Sequence, residues 1–132
     1  MITKPLLVLK KYIHIITIIY SATLAVISLV QISDIPDYIP SFSDKVFHFS
    51  AYGLLSLLCV YSLLYKYKLK TNHALFFGAL LAISFGIIIE VLQGQITNTR
   101  VTDQNDILAN TFGALLTTII LGIKNRFDVK KI

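Results

Sequence analysis

Four apolar runs, residues 13–32, 46–65, 74–93 and 107–123, dictate what this chain can become. At about 1.5 Å of rise per residue each run covers roughly 25–30 Å as a helix, close to the hydrocarbon thickness of a bilayer. The runs are apolar nearly all round, whereas the helices of a soluble bundle would each carry a polar face. Only 14% of the 132 residues are charged and 55% are hydrophobic, against about 25% charged in soluble domains. The expected fold is therefore all-α: an integral membrane four-helix bundle forming a single domain over residues 1–132.

The segments between the runs set the orientation. Met1 to Lys11 is a short basic leader, and the first run after it is longer than the apolar core of a cleaved signal peptide. It reads as a retained span, with His14 as an interfacial residue at its edge. Asp34, Pro36, Asp37 and Pro40 make residues 33–44 a loop. Residues 66–73 form a basic turn flanked by Tyr65 and Tyr67, interfacial anchors by type. Ten of the twelve Lys and Arg residues fall in the leader, this turn and the tail after residue 123. Lys45, Arg100 and six of the seven acids fall on the other side. The positive-inside rule then puts both termini in the cytoplasm and the polar segments outside. The net charge of +5 reads as membrane flanks, so no nucleic-acid partner is expected. The single cysteine, Cys59, leaves no intramolecular disulfide and no cysteine-based metal site.

Lipid gives no hydrophobic drive for helix association, so small residues must let the helices approach. Gly78, Ala82 and Gly86 follow one another at spacing four and lead to Glu90. That face is a packing seam, and it also offers a surface for a second copy of the chain. Ser21 with Ala25, and Ala109 with Gly113, are further small pairs. A seam through Gly86 turns Glu90 away from lipid.

The second run opens with Asp44, Lys45, His48 and Tyr52. On a helix Lys45, His48 and Tyr52 share one face, with His48 about 4.5 Å and Tyr52 about 10 Å below Lys45. Glu90 with Gln93, and Arg100 with Asp106 and Asn110, lie at matching depth on the later helices. An ionisable group deep in hydrocarbon costs about 2.5–3.5 kcal/mol on insertion scales, so these groups are expected to converge. Glu90, near a helix C-terminus, needs Lys45, Arg100 or protonated His48 beside it. Two helix N-termini together with Lys45 and Arg100 would form an anion-binding mouth. Asp44 and Asp106 are candidate helix caps. His48 and Glu90 are the candidate acid–base pair, and Lys45, Tyr52, Gln93, Arg100, Asp106 and Asn110 the candidate binding residues. One imidazole and two carboxylates, His48 with Glu90 and Asp106, could hold a cation. With no HExxH and no histidine pair, neither metal nor cofactor is assigned.

Taken together, Asp44, Lys45, His48, Phe49 and Tyr52, then Glu90 and Gln93, then Arg100, Asp106, Asn110 and Gly113 resemble the VanZ-like family of small bacterial membrane proteins. The match covers about residues 44–113. The chain departs from the family pattern at Thr97-Asn98-Thr99, before the arginine, and at Thr117. The resemblance implies a multi-pass protein of the bacterial cytoplasmic membrane. The family's namesake is associated with tolerance of teicoplanin, a lipid-tailed glycopeptide, and membership alone does not confer it. The functional expectation is binding or modification of an anionic or amphiphilic cell-envelope molecule, with a membrane lipid or lipid-linked molecule as partner. Two alternatives stand beside it. One is a non-catalytic structural subunit whose polar cluster locks the helices. The other is a small transporter, which the nearly apolar inner half of the bundle disfavours.

Overall fold

The computed structural model describes residues 4–30, 41–96 and 101–130. They form four helices: α1 (Lys4–Leu29), α2 (Ser41–Tyr65), α3 (Thr71–Ile96) and α4 (Gln104–Lys130). All four are long and apolar enough to cross a membrane. Each extends beyond its apolar run at one end or both, and α1 ends at Leu29, short of the expected residue 32. The hydropathy marks the part that hydrocarbon solvates, whereas backbone hydrogen bonding carries on into the headgroup region. Pro5 is accommodated in the first turn of α1, where its missing N–H has no partner to lose. Much of the basic leader is therefore helix, as is most of the tail.

The chain is inside-out relative to a soluble protein. Ile19, Val26, Phe76, Leu81, Ile88, Phe112 and Ile119 are exposed, while His48, Ser56, Glu90, Gln93, Asp106 and Asn110 are buried. A continuous apolar exterior of this kind suits lipid and would aggregate in water.

The helix α2 is central and packs against the other three, whereas α1 touches α2 and α3 but not α4. The seam Gly78–Ala82–Gly86 is used within the chain. A Cβ at Gly78 would meet the Val60 side chain of α2, and one at Gly86 would lie 2.9 Å from Tyr52 Cε1 and 3.2 Å from Asn110 Cβ. Gly113 lets α4 approach α2 so closely that a Cβ there would run into the Phe49 carbonyl oxygen. Its partner at this face is fully buried Ala114, whereas Ala109 is only half-buried. Thr117 sits over Gly53, whose Cβ would lie 3.1 Å from Thr117 Oγ1. On α1 the buried face is Ile13, Thr17, Leu24 and Ser28, with Ser21 and Ala25 half-buried.

Polar side chains fasten these contacts to backbone carbonyls. Tyr20 Oη donates to Ala51 O at 2.8 Å, Thr17 Oγ1 to Leu58 O at 3.2 Å and Ser56 Oγ to Ala114 O at 3.2 Å. At the basic end His14 Nδ1 lies 2.9 Å from Ser62 Oγ, and Tyr67 packs edge-on against the His14 ring. His14 is thus an internal fastener between α1 and α2. Lys10 lies over the Tyr65 ring at 4.7 Å. Cys59 is buried in the core.

Lys68, in the turn after α2, takes φ 56°. Replacing it with glycine removes a left-handed strain and is expected to raise stability by about 0.5–1 kcal/mol, read as a higher Tm in detergent. Gly113→Ala is expected to lower stability by about 1–3 kcal/mol through the clash with Phe49. Gly122→Ala meets only Leu75 Cδ1 at 3.5 Å, so it gains up to about 1 kcal/mol of helix propensity. Thermal melts of the two variants side by side check the pair.

Candidate functional site

The polar cluster forms at the end of the bundle opposite the basic turn, where α2 and α4 start and α3 finishes. The start of α4 is set by Asp103. Its Oδ1 accepts from Asn105 N at 2.8 Å, and its carbonyl accepts from Asp106 N and Ile107 N. Asp103 is therefore the N-cap. Asp106 lies inside the first turn of α4, and Asp44 inside that of α2. The capping of α4 expected of Asp106 thus falls to Asp103, and Asp44, three residues into α2, is no N-cap.

Lys45 is the hub of the rim. Its Nζ donates to Asp103 Oδ2 at 2.7 Å, pairs with Asp106 Oδ1 and lies 3.6 Å from Asp44 Oδ2. Three carboxylates thus surround one ammonium. The Lys45 hydrogen bond holds the Asp103 carboxyl below its ordinary value.

Beneath the rim, His48 is buried between acids on both sides. Its Nδ1 lies 3.1 Å from Asn110 Oδ1 and 3.7 Å from Glu90 Oε1. Its Nε2 lies 3.7 Å from Asp44 Oδ1 and 3.6 Å from Asp106 Oδ2. Tyr52 stacks on His48 one turn deeper, with ring centroids 6.4 Å apart and planes 15° apart. Three fully buried atoms, Glu90 Oε1, Tyr52 Oη and Asn110 Nδ2, have no hydrogen-bond partner among the described residues. At the rim end Thr102 donates to Glu90 O at 3.3 Å while packing on Gly94.

This 121-residue stretch, 5–125, matches the family model described as VanZ/LLP1. The chain belongs to the VanZ/LLP1 family. No curated protein and no solved structure matches it.

For this VanZ-like chain the residues singled out in sequence divide cleanly. Lys45, His48, Tyr52, Glu90, Asp106 and Asn110 come together. Gln93 is directed to α1, where its Nε2 donates to Ser28 O at 2.6 Å. It thereby satisfies one of the open carbonyls at the end of that helix. Arg100 lies outside the described residues. The expected anion-binding mouth is not what the described residues form. Lys45 is engaged by carboxylates, and the acids Asp44, Glu90, Asp103 and Asp106 outnumber Lys45 and His48. Asp103 and Thr102 were missed as site residues, although an aspartate three residues before another acid at a helix start is a readable cap signal.

Lys45→Met is expected to lower stability by roughly 1–3 kcal/mol, because it strands Asp103 and Asp106 without their cation. Lys45→Met with Asp106→Asn should recover part of that loss in the same melt. The Asp103 contribution is fully present above the ordinary aspartate value of 3.8 and is lost as pH falls through its lower folded value. Acid titration of Asp103→Asn should accordingly show a shallower decline over that window.

Proposed function

We propose that this protein binds an amphiphilic cell-envelope molecule in the bacterial cytoplasmic membrane, with the polar cluster taking the headgroup. The positive-inside rule applied to the basic end puts the termini in the cytoplasm and the cluster in the outer leaflet. The observation that carries the reading is the trio of buried atoms with no hydrogen-bond partner among the described residues: Glu90 Oε1, Tyr52 Oη and Asn110 Nδ2. Unsatisfied polar atoms at membrane depth are costly, and a ligand that supplies their hydrogen bonds explains why the bundle retains them. Teicoplanin, with which the family's namesake is associated, is itself lipid-tailed.

In this reading Tyr52 and Asn110 orient the headgroup, while His48 and Glu90 face it as a base and an acid. A catalytic version would move a proton between His48 and the headgroup, with Glu90 balancing the imidazole. The acidic rim favours a headgroup rich in hydroxyls or amines over a bare anion.

The three carboxylates around Lys45 favour a second reading, a structural cluster that fixes α2 against α4. The natural charge exchange for that reading is Lys45→Asp with Asp106→Lys, since Lys45 pairs with Asp106. Native mass spectrometry of protein extracted with its lipids decides between them. An amphiphile held by the wild type and lost in Glu90→Gln and Asn110→Ala, at unchanged yield and Tm, supports binding. Equal retention in the variants, or a charge exchange that restores stability with retention unchanged, supports the structural cluster.

A further inference from the structure

We propose that Asp44, His48 and Asp106 form a binding site for a divalent transition-metal ion of the Zn2+ class. One ligand atom from each lies within 4.8 Å of the other two. The carboxylates divide their oxygens between two neighbours. Asp44 Oδ2 and Asp106 Oδ1 face Lys45, whereas Asp44 Oδ1 and Asp106 Oδ2 face His48 Nε2. The distances on the imidazole side, 3.7 and 3.6 Å, are too long for hydrogen bonds. They are close to the roughly 3.3 Å that separates two ligands on one tetrahedral ion with bonds of about 2.0–2.1 Å.

Two observations outside the trio point the same way. With Nδ1 turned to Asn110 Oδ1 at 3.1 Å, Nε2 is the ring nitrogen that faces the two carboxylates and is placed to ligate an ion between them. Either a metal ion or a proton on Nε2 must separate the three electron-rich atoms that face one another there. On the far side of the ring Glu90, 1% exposed, holds Oε1 3.7 Å from Nδ1 and without a hydrogen-bond partner among the described residues. Metal-bound imidazoles characteristically pass their other N–H to a carbonyl or carboxylate that sets the ring orientation, and the Asn110 side-chain carbonyl supplies that contact at 3.1 Å.

One nitrogen and two oxygens suit a borderline ion, since Ca2+ and Mg2+ prefer all-oxygen sets. Asp44, with 43% of its side chain exposed, gives the ion a way in. It also leaves room at the metal for water or a ligand oxygen. An anionic group could then enter the acidic rim through the metal.

The site needs only these three side chains and does not rest on amphiphile binding. The full-length protein, purified in a synthetic detergent and stripped with a chelator, is titrated calorimetrically with ZnCl2. Co2+ is used as the visible-absorbing replacement. The expected result is one ion per chain, a Co2+ ligand-field band and a raised Tm. Affinity should fall about 100-fold or more in His48→Ala and Asp106→Asn, and at least about 10-fold in Asn110→Ala. Asp44→Asn, at the exposed rim, keeps the test decisive if His48→Ala fails to fold. A folded wild type with no stoichiometric uptake overturns the proposal and leaves His48 as an imidazolium clamped by its acids. Undiminished uptake by folded Asp44→Asn and Asp106→Asn overturns it equally. Because no envelope lipid is present, neither outcome bears on the lipid-retention experiment, and failure there leaves the metal site standing.

Discussion

Lipid gains nothing when an apolar side chain leaves it for another apolar side chain, so this bundle is held by what lipid cannot solvate. Two devices follow. Small residues bring backbones together, as Gly113 does beneath the Phe49 carbonyl and Gly78 beneath Val60. Hydroxyls and amides then donate to carbonyls across the contact, as Tyr20, Thr17, Ser56 and Gln93 do. The polar cluster is the extreme of the second device, because charge is what hydrocarbon tolerates least.

The cluster is layered. At the rim one ammonium is shared among Asp44, Asp103 and Asp106, and this layer tethers α2 to α4. Below it the imidazole of His48 is braced from both sides, and below that Tyr52 closes the stack against α3. The layers differ in how fully they are satisfied. The rim is rich in charge partners, whereas the inner layer retains donors and acceptors with none among the described residues.

Much of this was readable from the chain. Span number, the central seam and the convergence of His48, Glu90 and Asn110 all follow from helical spacing and the cost of charge in hydrocarbon. Helix ends were less legible, because Lys10, Lys11, Lys124 and Arg126 are good helix formers that hydropathy counts only as polar. Spacing left open whether Lys45, Arg100 or His48 answers Glu90, and among the described residues it is His48, at 3.7 Å. Spacing put Glu90 at the right depth, but Asp103 reaches the ammonium from the start of α4, and depth along a helix says nothing about which neighbour is nearest. Gln93 shows the same limit: its spacing from Glu90 placed it with the cluster, while its amide serves α1.

Asp103 belongs at once to the backbone of α4 and to the ammonium of α2. One oxygen closes the first turn and the other grips Lys45, so a single carboxylate both starts α4 and ties it to α2. Folding of these two helices is thereby made cooperative at their shared end.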